Sequence, residues 1–194
     1  MFPHLSKFNL QQWIEADKEK WGRRRTVWQD SDFITVVHRG PNRGKQFHIN
    51  EGDEIFYQLE GELQFHYINP SEKREVMVLK PGEMFLLPAN VPHSPRREEG
   101  SWTLVVERKR RPDEVDRWVW FCEKCDNKLY EAAPRSAKDP AIKQISQSKT
   151  PTSDSEPTSL SAPANAAVKP SKSRTSQRAP ALNFLNGPGL DPGD

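Results

Sequence analysis

Hydrophobic positions follow two different rhythms along this chain. Over residues 8–21, FNLQQWIEADKEKW, apolar Leu10, Trp13, Ile14 and Trp21 recur at helical spacing, which predicts an amphipathic N-terminal helix capped by Asn9 or Ser6. After that the helical period disappears. FITVVH (33–38), EIFYQLE (54–60), ELQFHYI (62–68), EVMVLK (75–80), EMFLLP (83–88) and TLVVER (103–108) are short and rich in Val, Ile, Phe and Leu. Turn residues separate them: Gly40-Pro41-Asn42, Glu60-Gly61, Asn69-Pro70-Ser71 and Pro81-Gly82. Short strands with such spacers predict an all-β antiparallel sandwich or small barrel with room for one buried pocket. RRPDEVDRW (110–118) reads as a turn or short helix, and WVWFCEKCDNKLYE closes the foldable part.

Composition divides the 194 residues in two. All 6 Trp and all 3 Tyr precede residue 131, whereas residues 132–194 hold one aromatic, Phe184, and 9 of the 17 prolines among Ser, Thr, Ala and Lys. Such a segment buries too little apolar surface to offset its chain entropy, so residues 132–194 are expected to be a disordered tail after a domain spanning 1–131. The tail also carries the net positive charge, with 8 Lys/Arg against 5 Asp/Glu, and leaves 21 basic and 22 acidic residues for the domain. A near-neutral domain argues against a nucleic-acid binder. No apolar run reaches the ~18 residues of a membrane span, and the N-terminus has no secretory-signal pattern. The two cysteines, Cys122 and Cys125, are too close together to staple a fold, and a reducing cytoplasmic setting is expected.

The chemistry concentrates in two blocks. In the first, His48 and Glu54 flank Glu51-Gly52-Asp53, so a strand, a turn and a returning strand place both side chains inside one barrel. In the second, Gly82-Glu-Met-Phe-Leu-Leu-Pro88-Ala-Asn-Val-Pro-His93 brings His93 in just after a strand. His48, Glu54 and Gly61 keep the spacing of the first cupin motif, with Asn50 in place of its second histidine. Gly82, Pro88 and His93 keep that of the second, with Asn90 in a glycine position. Two imidazoles and one carboxylate form a facial set that leaves coordination positions open, as in non-haem Fe(II) oxygenases.

The strings FHINEGDEIFYQLEGE, GEMFLLPANVPHSP, LVVERKR and WFCEKCDNKLYE, together with Gly40-Pro41-Asn42, resemble the 3-hydroxyanthranilate 3,4-dioxygenase family over roughly residues 28–131. The resemblance implies a cupin-type double-stranded β-helix, a homodimer and an Fe(II)-dependent enzyme of kynurenine catabolism. Its reaction opens 3-hydroxyanthranilate with O₂ to 2-amino-3-carboxymuconate semialdehyde, the precursor of quinolinate in pyridine nucleotide biosynthesis. By the same resemblance His48, Glu54 and His93 are the iron ligands, Arg97 pairs with the substrate carboxylate, and Glu107 contacts the ring substituents and assists proton transfer. Departures fall around the substrate. Gly44 occupies the position of a second substrate arginine, for which Arg43 is the nearest replacement; Arg96 replaces a common Gln; and Gly22-Arg23-Arg24-Arg25 replaces a segment expected to hold a substrate-contacting Asn. The alternatives are a related dioxygenase acting on another aminophenol or catechol, and a non-catalytic metal-binding cupin.

Bacterial members of that family often carry a second iron on two C-x2-C pairs. Cys122 and Cys125 match one pair, and the remaining sequence has no other cysteine, so a vestigial second site is the simpler expectation. His38 and His66 are expected to be structural, Trp118 and Trp120 to cover a barrel face, and Arg108 to Arg111 to form a solvated face or subunit contact. A buried Glu107–Arg97 salt bridge is the non-catalytic alternative for those two residues.

Overall fold

The computed structural model describes residues 6–42 and 44–133; Arg43 and residues 134–194 lie outside them, so the expected clamp residue and tail are not part of the description. Eleven strands form two antiparallel sheets. The first has five strands in the order β1 (Arg24–Trp28), β2 (Phe33–Arg39), β9 (Trp102–Arg108), β4 (Glu54–Glu60) and β7 (Met84–Leu87). The second has six: β11 (Lys128–Ala132), β10 (Arg117–Phe121), β3 (Phe47–Ile49), β8 (His93–Arg97), β5 (Leu63–Ile68) and β6 (Arg74–Leu79). Alternate residues of both sheets meet in a core of Phe56, Leu63, Phe65, Leu79, Leu87 and Val105. Each such side chain contributes roughly 1.5–3 kcal/mol by leaving water. This core fills one end of the barrel, and polar side chains line the other.

The helix is shorter than its periodicity predicts. α1 runs over Leu10–Ala16, with the Asn9 side chain accepting from the Gln12 N–H at 2.9 Å, and the chain tightens to a 3-10 turn over Lys18–Lys20. Trp21 explains the change. It sits edge-on between Trp13 and Trp102, at 4.9 and 5.1 Å, with the Arg25 guanidinium 4.5 Å over its ring and bonded to Asp17. That stack, with Ile14 and Val37, seals α1 against the outer face of the five-stranded sheet.

Strands β1, β3, β8 and β11 carry weak sequence signals, because site chemistry and edges displaced their apolar residues. β8 reads HSPRR, a run chosen for its side chains rather than for strand propensity. Residues 111–116 form a turn, not a helix, and β10 starts at Arg117. Ala132, assigned to the tail by composition, is the last residue of β11 and is buried against Trp120. Where β2 ends, Gly40 donates to the Ser101 carbonyl at 2.8 Å, and a Cβ there would lie 1.9 Å from the Glu98 carbonyl oxygen. No larger residue permits that approach.

Candidate metal centre and substrate cavity

β3 and β8 pair with His48 opposite His93, and β4 begins at Glu54 after the 50–53 turn. The expected strand–turn–strand geometry is therefore present, and His93, which follows β7 as expected, also opens β8. Donor atoms of His48, Glu54 and His93 all lie within 4.8 Å of one another, the one such group of three among the described residues. Each imidazole has a nitrogen to offer. His93 turns Nδ1 to the Val91 carbonyl at 2.9 Å, leaving Nε2 3.6 Å from Glu54 Oε1. His48 Nε2 is buried 3.3 Å from Asp116 Oδ2 but out of hydrogen-bond alignment, an orphaned donor-acceptor atom. Asn50, at the position of the missing second histidine, donates to Glu54 Oε1 and so orients the carboxylate. This donor set fits a divalent metal with open coordination positions.

Burial, reinforced by the facing Glu107 carboxylate, lifts the Glu54 carboxyl to about 8. Burial and the neighbouring His48 depress the His93 imidazole to about 3. The two shifts match what a metal requires: neutral imidazoles, and a carboxylate whose charge lacks compensation in a low-dielectric site.

A cavity of about 520 Å³ opens on this centre. Phe56 and Val105 line it on the apolar side, and Trp118 stacks on His48 at 5.1 Å. Trp118 thus lines the site as well as covering the barrel. Arg97 enters from the end of β8, 6% exposed. Its Nε donates to Thr103 Oγ1 at 3.0 Å; Thr103 in turn donates to Gln58 Oε1 at 2.8 Å, and Gln58 is held by Ser101. These partners are neutral, and no carboxylate lies within ion-pair distance of Arg97 among the described residues. Burial lowers its guanidinium to about 10, even with Glu54 nearby. An unpaired buried cation costs several kcal/mol, so it signals a ligand of opposite charge.

Glu107 lies opposite Glu54 in the sheet register and also lines the cavity. It does not pair with Arg97. Its Oε2 accepts from Arg110 at 3.0 Å, and Arg110 also bonds Asp116 at 2.5 Å. The basic run is therefore not merely a solvated face. Arg108 bonds Glu114, while Arg110 turns inward to close a chain from His48 through Asp116 to Glu107. Burial would raise the Asp116 carboxyl, but His48 and Arg110 outweigh it and hold it at about 2. Sequence reading does not single out Asp116 and Arg110: they pair locally with each other and with Glu107, and only the fold brings His48 to Asp116, so the one local signal is their crowding in RRPDEVDR.

Arg96 points away from the cavity, to Glu123 at 3.3 Å, as do Arg74 at 2.5 Å and Lys45 at 3.2 Å. Glu123 stands inside the C-x2-C turn. There the Cys122 Sγ accepts from the Lys124 N–H at 3.4 Å, and backbone N–H groups draw the thiol's pKa down. Both cysteines are free.

His38 faces the cavity, where burial and then Arg97 and Arg24 depress it to about 3, while burial, Arg96 and Arg74 bring His66 on β5 to about 4. Histidines kept neutral by the fold take up protons once unfolded, so stability rises with pH up to the ordinary value near 6.5. Glu54 acts in the opposite sense between 4.5 and 8, as one group against His38, His66 and His93. The thermal midpoint of the metal-free protein should therefore fall from pH 6.5 to 4.5, each histidine contributing up to ~1.4 kcal/mol per pH unit. A midpoint that is level or rising on acidification would show that these rings are not held neutral.

Two antiparallel sheets closed around a two-histidine, one-carboxylate set define a cupin-type protein with a candidate metal site. The sequence profile of the 3-hydroxyanthranilic acid dioxygenase family matches residues 2–141, and the chain belongs to that family of enzymes. It is 43% identical over 129 residues to a 3-hydroxyanthranilate 3,4-dioxygenase of Bacillus cereus, covering 65% of this chain and 72% of the relative. It is 42% identical over 137 residues to the enzyme of that name from Burkholderia cenocepacia, covering 67% and 75%. Among solved structures, a cupin-2 domain protein of Shewanella frigidimarina aligns at TM-score 0.42 and 19% identity over 50% of this chain and 92% of that one. The fold assignment stands on the strand pairing and the family, not on that likeness.

Proposed function

We propose that this protein is an Fe(II)-dependent dioxygenase that opens the ring of 3-hydroxyanthranilate with O₂ to give 2-amino-3-carboxymuconate semialdehyde, which closes to quinolinate in kynurenine catabolism. The observation that carries the reading is the buried, carboxylate-free Arg97 in the same cavity as His48, Glu54 and His93. A metal site alone fits many reactions. A metal site beside an unsatisfied guanidinium selects a substrate bearing a carboxylate, and relatives named for 3-hydroxyanthranilate support this particular one.

Bound to the three ligands, iron supplies a redox-active centre with positions for the substrate and O₂ together. The protein's own groups supply the rest. Arg97 grips the carboxylate through its planar fork, which fixes the ring's rotation in the cavity. Glu107, with Oε2 held by Arg110, keeps Oε1 for the substrate's hydroxyl or amino group, where it accepts a hydrogen bond and then the proton. Trp118, Phe56 and Val105 exclude water from the ring. Anaerobic loading with Fe(II), followed by spectrophotometric and O₂-uptake assays with 3-hydroxyanthranilate, tests the reading. Semialdehyde formation with matching O₂ uptake is expected. No uptake would sink it in favour of a non-catalytic cupin; uptake only with other aminophenols or catechols would reassign the substrate.

We also place the protein in the cytoplasm, as a homodimer. Among the described residues no helix is long and apolar enough to cross a membrane. The outer face of the five-stranded sheet exposes Trp28, Phe33, Met84 and Leu86, an apolar set suited to a second copy. Light scattering should return about twice the 22.3 kDa chain mass, and Leu86→Asp should return the single mass. A monomeric wild type would exclude the dimer.

A further inference from the structure

We propose that Arg24 is a second carboxylate-binding residue of the cavity, gripping from its mouth the group that Arg97 holds from its floor. This rests on the reading above that the substrate is an aromatic acid.

Register sets the direction of Arg24. In the β1–β2 pair Arg24 lies opposite His38, and Arg25 opposite Val37. Cross-strand partners share a face of the sheet. Val37 packs outward against α1, as does Arg25 over Trp21, so His38 and Arg24 face the barrel interior. The cavity lining includes both, along with Arg97 and the side-chain-free Gly44. Arg24 is exposed at the edge of its sheet and makes no ion pair or side-chain hydrogen bond with any described residue, whereas Arg25 on the opposite face is tied to Asp17. His38, opposite Arg24 in the register, lines the same cavity as both guanidiniums; burial and then the charges of Arg97 and Arg24 depress its imidazole. Two guanidiniums that line one cavity, neither ion-paired with a carboxylate among the described residues, repel each other until an anion arrives. One anionic group bridging both, with the ring directed toward His48, Glu54 and His93, relieves that repulsion.

Arg24→Gln, Arg24→Lys and the wild type, each loaded with Fe(II), should be compared on 3-hydroxyanthranilate and on 2-aminophenol, which keeps the amino and hydroxyl groups but lacks the carboxylate. For the acid, Arg24→Gln should lower kcat/KM about tenfold, mainly through KM, and Arg24→Lys should recover most of the loss. For 2-aminophenol, either variant should change kcat/KM by no more than about twofold. A KM for the acid unchanged in Arg24→Gln, or an equal loss on both compounds, would overturn the assignment. A wild type inactive on 3-hydroxyanthranilate defeats the proposed function instead, so the two failures are distinguishable.

Discussion

His93→Ala should lose its metal and reduce ring-opening turnover at least about a thousandfold, because two remaining ligands cannot hold the reactants together in attack geometry. The imidazole is 2% exposed and stacks on Phe65 at 5.6 Å, so its removal also leaves a hole in the core. Loss of activity alone would thus be ambiguous. Metal content, measured on protein that circular dichroism shows to be folded, settles the point. Glu54→Gln gives a second route: it keeps the volume of the side chain, removes the anionic ligand, and should lower the iron stoichiometry without opening a cavity. Full iron occupancy in either folded variant would show the ligand assignment to be wrong.

The second large effect belongs to Arg97. Arg97→Met should raise the KM for 3-hydroxyanthranilate so that kcat/KM falls about a hundredfold, the loss of ~2.7 kcal/mol expected for a paired, charge-assisted contact. The same substitution should leave the thermal midpoint unchanged or higher. Desolvation of the wild-type guanidinium is offset by hydrogen bonding to a neutral partner only, and an apolar chain of similar length removes a cost the fold otherwise carries. Thr103 still donates to Gln58 after the change. Activity and stability moving in opposite directions is the signature of a residue kept for a ligand. A KM within about threefold of the wild type would remove Arg97 from the substrate site.

The candidate ligands are more legible in the sequence than their surroundings. His48, Glu54 and His93 stand at fixed spacings around one turn and at the head of one strand, so local pattern sufficed. The six apolar strands were legible for the same reason, since their alternation is a local property. β3 and β8 were not, because His48 and the run His93 to Arg97 are there for chemistry, and such residues erase the pattern that marks a strand. The chain from His48 through Asp116 and Arg110 to Glu107 joins β3, β9 and the turn before β10. Only the closed barrel brings those segments together. Trp118 shows the limit of reading by residue type: it covers the barrel as expected, and its ring also stacks on His48, which residue type alone does not disclose. The N-terminal helix was overextended because Trp21 keeps the helical period while serving a stack that needs a tighter turn.

The hairpin joining β10 to β11 has one more consequence. Its C-x2-C turn is fastened through the residue between the cysteines: Glu123 receives cations from the loop before β3, from β6 and from β8, and Asp126 adds a second bond to Arg74. The turn is thus anchored by charge from three directions, independently of what the sulfurs bind. The exposed Cys125 takes no part in these ion pairs and can change by mutation without unmooring the hairpin, whereas Cys122 is buried and its Sγ accepts from the Lys124 N–H. The dependence passes instead to ionic strength, and raising salt should loosen this corner of the barrel before the apolar core yields.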